Sequence, residues 1–325
     1  MPSPVVVAEL VRSGFVEGHH YGSIIALDAG GDVAWSVGSI DAPIFPRSCN
    51  KPIQALAMVR IGLDLPDELL ALVCASHSGE PFHLAGVRRI LDSAGLDASA
   101  LQTPPDYPLD DEAREAVIRA GGSKDALSMN CSGKHAGMLA TCVVNRWDIS
   151  AYRDPGHPLQ QAIHETFAEV TGERVAAVGV DGCGAPLLST SLTGLARSFR
   201  SLALGVDGLG HPDPAAQRVA NAIRRYPTHV SGTLRDEAVL LAAIPGAVGK
   251  AGAESSYAVA LADGRAFALK TDDGAPRVRP VLMAEALRRC GVLDEPGVDA
   301  DAVRRTGHVD LLGGGVPVGE IRASF

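Results

Sequence analysis

The two ends of this chain read as strands and the long stretch between them reads as helix, which leaves few ways to fold it. Residues Val5 to Val11 and Gly22 to Asp28 alternate as strands do, and a Gly30-Gly31-Asp32 turn leads into Val33 to Val37. Two strands around a Gly-Gly turn form a hairpin, and so an antiparallel sheet. Near the other end, Ser255 to Leu261 and Arg265 to Lys270 flank an Ala262-Asp263-Gly264 turn, and a helix is predicted over Arg279 to Arg289. Between these ends the apolar spacing predicts helices over 53–61, 67–74, 83–94, 110–120, 133–144, 158–170, 188–204 and 214–225. One short apolar run, Val175 to Val180, reads as a buried strand meeting a tight turn at Asp181-Gly182-Cys183-Gly184. Strands far apart in sequence, each with an apolar face, must cover one another or be covered by helices. The expected fold is therefore mixed α/β of the α+β type: an antiparallel sheet built from both termini, flanked by helices, plus a helical lobe. It forms one domain over 1–325, with the sheet lobe from about 1–47 and 245–325, the helical lobe about 48–244, and a surface loop at 205–213.

Composition narrows the function. The 325 residues suffice for a large core, and with aromatic residues at only 4% that core is built from Leu, Val, Ala and Ile. A net charge of −9 argues against nucleic acid, which needs a basic face. No apolar run is long enough for a membrane span, and Met1-Pro2-Ser3-Pro4-Val5 lacks the pattern of a signal peptide, so a cytoplasmic protein is expected. The six cysteines are scattered, which favours free thiols over a disulfide framework.

Five segments can carry chemistry. In Ser48-Cys49-Asn50-Lys51, a Ser and a Lys three positions apart on a turn entering a helix share a face. A lysine kept dry can lose its proton and take one from the hydroxyl, making an acyl-transfer nucleophile. Taken alone, a helix-capping Ser beside an exposed Lys is the plainer reading. The segment Cys74-Ala75-Ser76-His77-Ser78-Gly79-Glu80-Pro81 gathers two hydroxyls, a His and a Glu where packing does not need them, so Ser78 or Ser76 can act as a second hydroxyl beside Ser48. Ordinary turn chemistry explains it equally well. Asn130-Cys131-Ser132-Gly133-Lys134-His135 opens an apolar helix; it is no phosphate loop, because Ser128 stands where the first Gly belongs and His135 follows the Lys. Asp181 and Cys183 end the short strand, and Cys131 with Cys183 can hold a soft metal or simply be two buried thiols. Lys250-Ala251-Gly252 has the form of the Lys-[Ser/Thr]-Gly edge strand that faces a Ser-x-x-Lys nucleophile, with Lys270 as the competing lysine.

In combination and order, Pro-Arg-Ser-x-x-Lys-Pro-x-Gln, Ser-His-x-Gly-Glu, Asn-Cys-Ser-Gly-Lys-His, Val-Asp-Gly-Cys-Gly and Gly-Lys-x-Gly-Ala-Glu resemble the zinc-binding, Ser-Lys L-asparaginases of the asparaginase II family. The likeness runs to about residue 275. It implies the serine β-lactamase and glutaminase fold and hydrolysis of L-asparagine to L-aspartate and ammonia through a Ser acyl-enzyme. A glutaminase, another amidase or β-lactam hydrolase, and a non-catalytic zinc-bearing amino-acid binder are the alternatives. It further implies Ser48 paired with Lys51, Ser78 paired with Lys250, and a Zn²⁺ held by Cys131, Lys134 and Cys183 with a water. Asp181 and His135 would stand beside the metal, and Arg47, Glu80, Asn130 and His135 would bind substrate. A homodimer is implied by the resemblance alone. The chain departs from the pattern at Ser255, where Gly is usual, and at Cys49-Asn50, which replace small residues.

Overall fold

The structure is a computed structural model that describes residues 5–325. It opens with three strands, β1 (Val6–Arg12), β2 (Phe15–Leu27) and β3 (Val33–Val37). A helical stretch follows: α1 (Lys51–Arg60), α2 (Asp67–Val73), α3 (Pro81–Ser93), α4 (Asp111–Arg119), α5 (Ser132–Asn145) and α6 (Pro158–Thr171). A two-stranded ribbon, β4 (Val178–Val180) and β5 (Pro186–Leu188), precedes α7 (Leu192–Leu204), α8 (Pro214–Arg225), α9 (Pro227–Val230) and α10 (Asp236–Ala243). The chain then returns to strand with β6 (Val248–Ala251), β7 (Tyr257–Ala260) and β8 (Ala266–Thr271). It ends in α11 (Arg279–Arg289), α12 (Ala300–Thr306), β9 (Asp310–Gly313) and β10 (Val316–Ala323).

The strands of both ends form one antiparallel sheet in the order β6-β7-β8-β2-β1-β10-β9, with β3 paired to β2 beside that path. Long β2 makes the junction. Its first part pairs with β1, from Phe15 opposite Arg12 to Tyr21 opposite Val6. Its second part pairs with β8, from Gly22 opposite Thr271 to Leu27 opposite Ala266, and with β3. Gly22 stands at the handover, where a β-carbon would lie 2.5 Å from the Lys270 carbonyl oxygen, so the close approach of the strands requires glycine.

Helix α7 packs on β2, β6, β7 and β8, while α11 packs on β8 and β10. A strand covered on both faces loses its polar alternation, and Tyr257-Ala258-Val259-Ala260 of β7 are accordingly all buried. The small Ala side chains let helix and sheet approach closely in a chain poor in aromatics.

Two expectations need correcting. The run 175–180 is not a buried strand: Val178 and Val180 are 51% and 80% exposed, because β4 has only β5 as partner and no layer covers it. The helix expected from 188 begins only at Leu192, since Ser191 caps it by accepting from the Gly194 N–H and the preceding residues extend as β5. Helices α10 and α12 and strands β9 and β10 were not anticipated individually. Among the described residues, no helix is long and apolar enough to cross a membrane.

Candidate active site

Ser48 lies in a single 3₁₀ turn, Arg47–Asn50, that runs into α1. Pro52 occupies the first turn of α1, where its missing N–H leaves no bond unmade, so Ser48 sits just ahead of the regular helix. Arg47 has φ +52°, a left-handed conformation that costs a side-chain-bearing residue on the order of 1 kcal/mol. Its side chain anchors it: Nε donates to Asp181 Oδ1 at 2.9 Å, and a guanidinium N–H reaches Glu254 Oε1 at 3.4 Å. The turn is pinned on two further sides. Cys49 Sγ donates to the Lys250 carbonyl of β6 at 3.0 Å, and Asn50 Nδ2 donates to the Leu188 carbonyl of β5 at 3.1 Å. Burial pushes the Cys49 thiol up to about 12, so it stays protonated and unreactive. Ser48 itself remains half-buried while Cys49, Asn50 and Lys51 are buried. Lys51 Nζ donates to the Ala75 carbonyl at 2.6 Å and to Ser76 Oγ at 2.9 Å, so the hydroxyl it touches is that of Ser76.

The segment between α2 and α3 passes through the site extended, and successive residues bind opposite sides. Ser76 N–H donates to the Val230 carbonyl (3.1 Å) and Ser78 N–H to the Ser231 carbonyl (2.7 Å), while His77 N–H donates to the Asn130 carbonyl (3.0 Å). The Ser132 hydroxyl donates to the Leu127 carbonyl, so His77 donates to it from Nε2 at 2.8 Å and buries an unpartnered Nδ1. Burial, with the neighbouring His83 and Lys51, holds His77 well below its ordinary pKa and keeps it neutral. Glu80 accepts from the Thr233 N–H (2.9 Å) and hydroxyl (2.7 Å). Between those contacts lies Gly232, where a β-carbon would overlap the Ser78 hydroxyl and stand 3.0 Å from Glu80 Oε1.

Lys250 is on the edge strand β6, fully buried, but its partner is not Ser78. Its ammonium donates to both oxygens of Glu237 at 2.9 Å each and to the Ala251 carbonyl at 2.9 Å. Burial lowers the Lys250 pKa against the opposing pull of the Glu237 carboxylate. Glu237 escaped sequence reasoning because no helix is expected over 236–243 and Asp236-Glu237 lie outside the five segments that can carry chemistry. Lys270, the competing lysine, donates instead to the Glu254 carbonyl at 2.8 Å. Ser255, which stands where the resemblance expects Gly, has φ +55°; the turn conformation favours glycine, and serine there costs on the order of 1 kcal/mol.

Cys131, Lys134, Cys183, Asp181 and His135 come together where the start of α5 meets the tip of the β4–β5 ribbon. Lys134 Nζ lies 3.1 Å from Cys183 Sγ, and Cys183 Sγ lies 3.9 Å from Asp181 Oδ2. The Cys131 thiol stands at hydrogen-bond distance from Asn130 Oδ1 (3.2 Å) and close enough to Cys183 to couple with it. The Cys131 thiol, with Lys134 and His135, holds Cys183 far below the ordinary thiol pKa, and Cys183 together with burial raises Cys131. Burial works against the charge of Lys134, yet the two cysteines and Asp181 leave it raised. Burial lowers His135 to about 4; its Nδ1 is at 2.7 Å from Tyr152 Oη and its Nε2 is buried without a partner. Two sulfurs and an amine are a donor set that suits zinc. Among the described residues no three His, Cys, Asp or Glu side chains stand so that they could hold a metal ion by themselves, so an ion held here depends on the Lys134 amine.

The Ser48 turn thus stands against two buried lysines, Lys51 at its end and Lys250, whose carbonyl holds Cys49. The sequence profile of the L-asparaginase II family matches residues 8–323, and the chain belongs to that family, which implies an amidohydrolase. Comparison with curated sequences returns no match. Solved structures of similar outline include a β-lactamase from Mycobacterium bovis, 15% identical, with the match covering 82% of this chain and 94% of that one at a TM-score of 0.44. They also include a hydrolase with promiscuous acyltransferase activity (14% identical, 82% and 93% covered, TM-score 0.43) and a Bacillus glutaminase (11%, 83% and 91%, TM-score 0.38). At such identities and scores these likenesses carry no argument about what this chain does.

Proposed function

We propose that the protein hydrolyses the side-chain amide of L-asparagine to L-aspartate and ammonia, with Ser48 as nucleophile and Lys51 as its base. Beyond family membership, one observation supports this reading: Lys51 Nζ makes two donor contacts, to the Ala75 carbonyl and Ser76 Oγ. A neutral amine owns two N–H bonds and a lone pair. With both N–H bonds engaged, the lone pair is left to accept the Ser48 hydroxyl proton. Ser48 Oγ then bonds the amide carbon, the C–N bond breaks, and the proton held by Lys51 leaves with the ammonia. Water repeats the sequence in reverse: its oxygen bonds the acyl carbon, the ester C–O bond breaks, and Ser48 regains its proton through Lys51. Glu80 and Arg47 are the charged candidates for the substrate's ammonium and carboxylate, and Asn130 and His135 are the further candidates that the resemblance implies. The test is turnover measured side by side: ammonia release from L-asparagine and L-glutamine, and ring opening, read from the colour change, of a chromogenic β-lactam. Asparagine is expected to be turned over fastest. Faster turnover of glutamine or the β-lactam would replace the substrate, and binding without ammonia release would overturn the reading.

Cys131, Lys134 and Cys183 are the proposed zinc ligands. A zinc ion there supplies fixed positive charge for an anionic substrate group, and Lys134 must give up its proton to bind it. Protein purified without chelator is expected to carry about one zinc per chain, and Cys183→Ala to carry less than about a tenth of that, by elemental analysis. Equal metal content in the two proteins would remove Cys183 from the ligand set.

A further inference from the structure

A lysine that shuttles protons needs a free lone pair or a hydroxyl within reach, and Lys250 has neither. Its three hydrogen bonds run to Glu237 Oε1, Glu237 Oε2 and the Ala251 carbonyl, all of which are acceptors while Glu237 is ionised. Three acceptors use the three N–H bonds of an ammonium ion, whereas a neutral amine has only two. Glu237 and Lys250 are both fully buried, so neither charge is tolerable without the other. The pair is also built in. Glu237 opens α10, whose neighbour Asp236 is gripped by Arg279 at 3.0 and 3.1 Å. Arg279 in turn donates to the carbonyl of Gly252, one residue beyond β6 (3.2 Å). The carbonyl of Lys250 itself holds Cys49, next to Ser48.

We propose that Glu237 is a positioning residue that holds Lys250 as a permanent ammonium ion, so that Lys250 serves the reaction as a stationary positive charge and not as a second proton carrier. The proposal rests on the amidohydrolase reading above. A fixed cation next to the nucleophile's turn favours the negative charge that develops on the attacked amide oxygen. The groups that face Lys250 are Glu237 from α10, Lys51 from α1, Cys49 from the nucleophile turn and Cys74 from the end of α2. Of these only Glu237 is anionic, because burial holds both thiols up at about 12.

The test is Glu237→Gln, assayed for kcat and KM of ammonia release from mildly acidic to alkaline pH. Without its counter-ion, buried Lys250 loses its proton within that range. Activity that needs the cation is present below the lysine's pKa and lost as pH rises through it. The expected result is a new alkaline loss of at least about tenfold in kcat, absent from the wild type, with KM little changed. Glu237→Asp, which keeps the charge, is expected to lack the alkaline loss even if its rate is lower. A Glu237→Gln profile parallel to that of the wild type overturns the proposal. Should that variant not fold, the wild type decides: the side-chain NMR signal of Lys250, assigned by its disappearance in Lys250→Arg, is expected to be that of an ammonium ion at neutral pH, and a neutral amine there overturns the proposal. That signal remains measurable if no amide is hydrolysed, so failure of the amidohydrolase reading and failure of the Glu237 assignment are separate outcomes.

Discussion

Ser48→Ala is expected to lower kcat for ammonia release by a factor on the order of 10⁴ to 10⁶ while leaving the thermal midpoint nearly unchanged. The size follows from what is lost: without Oγ no acyl-enzyme forms, and water must attack the amide directly with only the residual electrostatic help of the site. The small effect on stability follows from position. Ser48 is half-buried, and none of the side-chain bonds that pin its turn is its own: Arg47 to Asp181, Cys49 to Lys250 and Asn50 to Leu188 all survive the substitution. Lys51→Met should cost a smaller factor of about 10² to 10⁴, the range of a lost general base. The double variant should be no worse than Ser48→Ala, because base and nucleophile act as a unit. Ser76 is the rival nucleophile, since Lys51 touches its hydroxyl at 2.9 Å. Ser76 is buried where Ser48 is half-open, so Ser76→Ala is expected to slow the reaction tenfold to a hundredfold by disturbing Lys51, not to abolish it. Mass spectrometry of the trapped acyl-enzyme separates the two. Acyl mass on the peptide with Ser76, or a Ser48→Ala rate within tenfold of wild type, would sink the assignment.

The sheet built from both termini was legible because its hairpins carry local signals: a Gly-Gly turn before Val33 and Ala262-Asp263-Gly264 before Arg265. Helices over 214–225 and 279–289 matched to the residue, since Asp213 caps α8 and a proline opens each. The buried reading of 175–180 failed for a general reason: an apolar run does not say whether a neighbouring layer exists to cover it. Site segments were legible as local clusters of reactive residues. Their pairings were not, because pairings are set by how distant elements dock. Lys51 reaches Ser76 only because the 74–80 segment lies along residues 230–233, and nothing in Ser-x-x-Lys announces that. Glu237 was invisible for the same reason: an acidic residue by itself is commonplace, and only the packing of α10 against the edge strand β6 makes it a counter-ion.

Gly232→Ala is expected to lower kcat by about 10² or more although Gly232 bears no functional group. A β-carbon there would stand 2.7 Å from Ser78 Cβ and 3.0 Å from Glu80 Oε1, besides overlapping the Ser78 hydroxyl. Neither side can easily retreat. The Ser78 N–H is held by the Ser231 carbonyl at 2.7 Å, and the Thr233 N–H and hydroxyl hold Glu80 at 2.9 and 2.7 Å. Either the 231–233 loop moves out and loosens Glu80, or Ser78 turns out of place. A displacement of about 1 Å in a group proposed to position the substrate, as Glu80 is, is enough for a hundredfold loss. The overpacking should also destabilise the fold by about 1–3 kcal/mol, read from urea denaturation. Pairing Gly232→Ala with Ser78→Gly makes room for the new methyl group, so stability should return towards that of Ser78→Gly alone. Activity should not return, because the Ser78 hydroxyl is now absent. If the double variant recovers wild-type kcat, the hydroxyl of Ser78 has no part in the reaction and Gly232 serves only to let two segments of chain pass. If Gly232→Ala alone keeps the wild-type rate, the loop yields without cost, and the second hydroxyl of the site is that of Ser76, already in contact with Lys51.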